Sequence, residues 1–139
     1  MKLIGMIALT MASVVYGITQ STKLYKRVEL LLLLEKAVDE IKAIIRYSAQ
    51  ETDEIIYRIR QKYPALFTEN VVDEDAEIIN ELINGIGKTD SDGQLAFCEG
   101  INRIIERNLR EAEADKQEKA KLYAVLGLSF GLAFSIILV

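Results

Sequence analysis

The sequence predicts an all-α protein: a small helical bundle of about four helices, flanked by N- and C-terminal transmembrane helices. Three observations carry this. The chain has one proline, Pro64, and a middle rich in Glu, Lys, Arg, Ile, Leu and Ala, so its helices are few and long. Apolar residues recur at three- and four-residue spacing through that middle. Both ends carry runs without a charge, Leu3–Ile18 and Leu122–Val139. The expected parts are an N-terminal anchor over 1–22, a bundle over 23–109, a charged helical stalk over 110–121 and a C-terminal anchor over 122–139.

The first run reads LIGMIALTMASVVYGI. It is short for a span, which typically takes ~20 residues, and extension to Thr22 brings it into range. Thr10 and Ser13 can bond back to their own helix, so lipid tolerates them. Lys2 ahead of an apolar run also fits a secretory signal peptide, but Met11-Ala12-Ser13-Val14 lacks an A-x-A cleavage site, which favours an anchor.

The helical pattern continues past the anchor to about Ser48. Leu24, Val28, Leu31, Val38, Ile41 and Ile45 form its apolar stripe. Leu30 to Leu34 is five leucines running, more than one stripe explains. Packing inside the bundle is one reading; the other makes Leu31, Leu33 and Leu34 partner contacts.

Thr52, Asp53 and Glu54 read as a second helix start, a capping hydroxyl followed by acids on the positive end of the dipole. Ile55, Ile56, Ile59 and Tyr63 supply its buried face, and Pro64 ends it. Ala65 to Phe67 adds a turn, with Phe67 plugging the bundle. Asp73, Glu74 and Asp75 open a third helix with Ile78, Ile79, Leu82, Ile83 and Ile86 inward. Dipole complementarity explains this acidic triplet more simply than a metal does.

Gly85-Ile86-Gly87 ends the third helix, glycine being suited to a left-handed cap. The stretch Lys88 to Gln94 follows. It resembles a calcium loop only faintly: Ile101 stands twelfth from Asp90, where glutamate is required. A turn with an N-cap from Thr89, Ser91 or Asp92 is the simpler reading. The last helix carries Phe97, Ile101, Ile104, Ile105 and Leu109 inward. Glu99 and Arg103, Glu106 and Arg110, and Asp115 and Lys119 stand four apart, acid first, each pair worth a few tenths of a kcal/mol. Arg110 to Lys121 has almost no apolar face and reads as a solvated stalk. From Gly93 to Val139 the helix would run ~70 Å. Gly127, Gly131 and Ser135 give the final run a small-residue face, to which the N-terminal anchor offers Gly5, Ala8, Ala12 and Gly17.

Lys23, Lys26 and Arg27 follow the first run, and Lys116, Lys119 and Lys121 precede the second. The positive-inside rule then places the central domain in the cytoplasm, at a cell membrane. The net charge of −4 is mild and both signs alternate, so no nucleic-acid footprint is present. The chain has no histidine, which removes the commonest metal ligand and general base. Gly85 to Thr89 contains Gly-Lys-Thr, but Leu82 stands where a Walker loop needs its first glycine. No catalytic activity, metal, cofactor or small-molecule substrate is expected. Cys98 is alone, which excludes an intramolecular disulfide and fits a reducing compartment.

The layout resembles the stage III sporulation protein AB family. The resemblance rests on an N-terminal anchor entering a long helix, a Gly-Ile-Gly-Lys-Thr-Asp-Ser-Asp-Gly-Gln loop and a charged last helix running into a glycine-containing anchor. Gly87, Thr89, Asp90, Gly93 and Gln94 match the family's G-x-[TS]-D-x-x-G-Q-like loop pattern. The resemblance assigns these residues no chemistry. With Asp92 they are candidate partner-binding residues, because a bundle does not need two loop aspartates. One departure is visible: the family's segment between the second helix and the loop is longer and carries tryptophan, whereas Phe67 to Gly87 is short and lacks it.

The resemblance implies a mother-cell membrane protein in the channel complex between mother cell and forespore. Its partners would be a secretion-type sporulation ATPase and other stage III sporulation membrane proteins. Its bundle would be similar to the helical platform domains of type II secretion. The expected function is a non-enzymatic membrane scaffold or adaptor. The alternative is a small membrane-anchored regulatory binder unrelated to sporulation, although such a sensor would carry a folded extracytoplasmic part.

Overall fold

A computed structural model describes residues 2–48 and 50–138. Several side chains between 2 and 20 and between 128 and 138, Gly131 and Ser135 among them, lie outside the description. The described residues are helical, with four α-helices and no strand. Helix α1 spans Lys2–Tyr47, α2 Thr52–Lys62, α3 Asp73–Gly85 and α4 Ser91–Leu138; a 3₁₀ turn covers Pro64–Phe67 between α2 and α3.

The chain forms two compact units. One comprises Met1–Lys26 and Ala112–Val139, the other Arg27–Glu111. The second unit is the bundle. Its core draws Leu34, Val38, Ile41 and Ile44 from α1, Ile55 and Ile59 from α2, Ile78, Ile79 and Leu82 from α3, and Cys98, Ile101 and Ile105 from α4. These residues repeat at three- and four-residue spacing, which puts them on one face of each helix. Burying such a side chain contributes about 1.5–3 kcal/mol, so the stripes dominate the bundle's stability. The core leaves a space of only ≈ 10 Å³, lined by apolar side chains including Leu34, Ile59 and Leu82. That is at the lower limit for one water molecule and too small for a ligand.

Helix ends follow the expected breakers, but two caps differ. Residue Glu51, with extended backbone, is the N-cap of α2, and no side chain caps it. Thr52 is instead the first helical residue, and its hydroxyl lies beside Gly87. Pro64 stops α2 at Lys62 as predicted. In the turn that follows, Leu66 is buried and Phe67 only half-buried. Phe67 packs against the core beside Leu66, and its ring also carries the Arg60 guanidinium at 4.7 Å.

In the other unit, α1 and α4 run antiparallel. The Tyr123 ring covers Gly17, where an added Cβ would stand 2.9 Å from Tyr123 Cε1. About two turns on, the Lys116 ammonium sits over the Tyr25 ring at 4.0 Å. The segment expected as a free stalk is therefore partly covered: Ala112 is fully buried and Lys116 half-buried. The ends of the chain do pair, but around Gly17 and Tyr123. At Gly5 and Gly127 a Cβ would meet nothing within 4 Å, so these glycines are not the contact; Gly131 and Ser135 lie outside the described side chains.

Among the described residues, no helix is long and apolar enough to cross a membrane. The expected transmembrane anchors are thus not supported by the described residues; both expected spans include residues outside them. None of the three predicted acid-first pairs of α4 is closed among the described residues. The ion pairs they do form join Arg27 to Glu74 and Asp75, Lys42 to Asp39, and Lys62 to Glu40. An exposed pair gains little for the side-chain entropy it loses.

Candidate partner-binding site

The two groups of residues predicted to meet a partner are placed very differently. In the leucine run, Leu31 and Leu34 are 0 % and 1 % exposed. They face the interior and have no surface to offer a partner, which corrects that expectation. Leu33 is half-buried against the core. Leu32 is the outward leucine, 42 % exposed, and was not among the predicted contacts. A helix rotates ~100° per residue, so five consecutive leucines must include at least one that faces away.

The loop residues come together as a helix start. Asp90 is the N-cap of α4: its Oδ1 accepts the Gly93 backbone amide at 3.0 Å. This is the N3 amide, one of the four a helix leaves without an internal partner. The Gln94 side chain reaches back and donates to the Thr89 carbonyl at 2.9 Å. An added Cβ on Gly93 would lie 2.5 Å from Thr89 Oγ1 and 2.8 Å from Asp90 Oδ1, so glycine is required there. Gly87 has φ +85°, the left-handed region, and an added Cβ there would run into the Thr52 side chain. The cap therefore comes from Asp90, not from Thr89, Ser91 or Asp92 as expected.

Each residue of the loop pattern thus has a local structural task, that of Thr89 being to supply the carbonyl that the Gln94 side chain meets. Gly87 turns the chain, Asp90 caps α4, Gly93 admits the cap and Gln94 closes the turn. What the loop leaves outward is Lys88, Ser91 and Asp92, all exposed. Asp92 also stands in the first turn of α4, where a negative charge complements the dipole. Asp90 and Thr89 remain solvent-accessible, so the loop is an exposed corner.

Two polar groups were missed at the sequence level. The first surrounds Asp75, which is fully buried at the start of α3. Its carboxylate accepts from Arg27 Nε at 3.0 Å, from Arg27 Nη2 at 3.3 Å and from Asn108 Nδ2 at 3.4 Å. Three helices meet there, and the acidic triplet is accordingly split: Asp75 turns inward to Arg27 while Asp73 and Glu74 stay outside. A readable signal existed, since Asp75 lies four before Ile79 and seven before Leu82, on the buried stripe of α3.

The second group joins α1 to the end of α2. Glu40 Oε2 accepts from Lys62 Nζ at 2.7 Å and from the Tyr63 hydroxyl at 2.8 Å. Burial pushes the Glu40 carboxyl up, but the bonds from Lys62 and Tyr63 outweigh it and hold the group below the usual 4.5. Bonding to Glu40 raises Lys62. Burial, then the Glu40 carboxylate, raises Tyr63. Cys98 is buried between helices, and burial pushes its thiol up, away from the reactive thiolate. Among the described residues, no group of three or more carboxylates and thiols could hold a metal ion.

Comparison with curated proteins and with solved structures gives no match. The family model described as Stage III sporulation protein AB matches the chain over residues 2–71 and 68–139. The two stretches overlap at residues 68–71, between the 3₁₀ turn and α3, and together they take in all four helices and the Gly87–Gln94 loop. The chain therefore belongs to the stage III sporulation protein AB family, which implies a role in sporulation.

Proposed function

We propose that the chain is a non-enzymatic scaffold of the mother cell–forespore channel complex, attached to the mother-cell membrane and coupled to a secretion-type ATPase. The observation that carries this reading is the family match along the chain. Two further features support it. The uncharged runs at the two chain ends belong to one compact unit, where Gly17 and Tyr123 join them. Of the large apolar side chains left exposed, most fall in that unit, among them Ile4, Val14, Ile18, Val125, Phe130 and Ile137. Exposed apolar area on this scale marks a surface with a partner, and a bilayer fits one without charges. The lysines beside these runs support a cytoplasmic bundle.

The bundle has an interior that is mostly apolar and closely packed. Its contribution is to hold a shape that a partner reads, and energy use belongs to the ATPase. The test is complementation in a sporulating strain that lacks the protein. The full chain is expected to restore spores, and the chain stopped before Leu122 is expected to fail while accumulating normally. Full rescue by the shortened chain would remove the membrane-scaffold reading and favour a free regulatory binder.

A further inference from the structure

The buried Arg27–Asp75–Asn108 group has no role in the reading above, and its energetics are unusual. Asp75 is a charge with no solvent exposure, in a bundle whose other buried residues are nearly all apolar. Replacing a buried ion pair by apolar side chains of similar volume is often neutral or stabilising, so such a group is poor evidence of stabilisation. Its best-attested use is to fix the register of neighbouring helices.

The geometry suits that use. The Arg27 guanidinium meets both Asp75 oxygens, through Nε at 3.0 Å and Nη2 at 3.3 Å. Such two-pronged contacts are directional as well as strong. Asn108 adds a bond from α4 at 3.4 Å. The Asp75 carboxylate is also in the first turn of α3, where the dipole favours it. Leucine and isoleucine stripes, by contrast, are nearly periodic: sliding one helix by a turn brings apolar residues over apolar residues again. Sliding α1 or α4 by one turn, ~5.4 Å, would leave Asp75 buried without its partners. Arg27 is the first residue of the bundle unit, and Asn108 lies one turn before its last, Glu111. The group therefore stands where α1 enters the bundle and α4 leaves it.

We infer that Asp75, Arg27 and Asn108 are a register device: they set the axial alignment of α1 and α4 at the end of the bundle rather than its stability. This rests on the geometry of the bundle and not on its role in sporulation. The test uses the purified full chain in detergent micelles, with Cys98→Ser and a short thiol crosslinker. Asp39 and Asn102 are hydrogen-bonded at 3.1 Å between α1 and α4, so Asp39→Cys with Asn102→Cys reports the native register. Asp39→Cys with Glu99→Cys or with Glu106→Cys reports slippage by about a turn.

In the otherwise native background, the 39/102 pair should crosslink in clear excess over the other two. Combined Arg27→Met, Asp75→Leu and Asn108→Leu should keep the helical content and the melting midpoint, yet cancel that excess. A preserved excess would overturn the proposal, and so would loss of helical structure, which would make the group a stability element instead. Arg27→Lys, which keeps the charge but not the two-pronged contact, should lower the excess in a folded chain. No change in that variant would likewise count against the proposal.

Discussion

Asp90 carries the clearest single-residue consequence. Its carboxylate is the N-cap of a 48-residue helix and holds the Gly93 amide. Asp90→Ala should cost about 1 kcal/mol, and Asp90→Asn much less, read as shifts in thermal unfolding. Asp92 has no such bond but complements the dipole in the first turn of α4, so Asp92→Lys should cost about 1 kcal/mol and Asp92→Asn about half of that. Loss of spores in an Asp92→Lys strain, in which the chain still folds and accumulates, with spores kept by Asp90→Ala of similar cost, would then mark the loop as a contact surface. Equal spore yield would leave it a helix start. Glu40 gives a pH dependence. Its folded-state pKa lies below 4.5, so its stabilisation is present above that value. It is lost as pH falls through the lower, folded value. Melting midpoints should decline at pH below 4.5, and Glu40→Gln should lower the midpoint at pH 7 and flatten the acid decline. Lys62 and Tyr63 have raised values, so their contribution runs the other way, present below about 10 and lost at higher pH.

At the scale of elements, the connections decide more than the helices do. Glycine in the middle of a helix costs ~0.5–1 kcal/mol relative to alanine, so open helical glycines are places to gain stability. Gly100 is such a place, since its Cβ would meet nothing within 4 Å. Gly100→Ala should raise the melting midpoint. Gly87→Ala should lower it, because φ is +85° and Thr52 occupies the space. A stabilising Gly87→Ala would contradict the turn described here. The helices themselves were legible: Pro64, the glycines and the acid-rich starts placed their ends within a residue or two. The caps were not, because Thr52, Thr89, Ser91 and Asp92 are all plausible by residue type, and only geometry shows that Asp90 reaches Gly93. The polar group at Asp75 was passed over, although the place of Asp75 on the stripe of Ile79 and Leu82 was readable. An acid in the first turn of a helix has an adequate local explanation, and its burial depends on α1 and α4, far away in sequence. The leucine run misled because identity alone does not say which of five residues faces out. Leu32 does, and it is the third in the run.

At the scale of the whole molecule, sequence carried the order of parts and the family. The chain ends, read as two anchors that small residues could bring together and a solvated stalk, share one compact unit through Gly17, Tyr25, Lys116 and Tyr123. That pairing could not be read from small residues alone, since Gly127 was an equally good candidate and is open. In the proposed scaffold role, the chain would act through what it holds. The most direct measurement is therefore a crosslinked pull-down of the tagged full-length chain from detergent-solubilised sporulating cells, read by mass spectrometry. The account predicts recovery of a secretion-type ATPase together with other sporulation membrane proteins. Recovery of the intact chain alone, under conditions that preserve other membrane complexes, would contradict it.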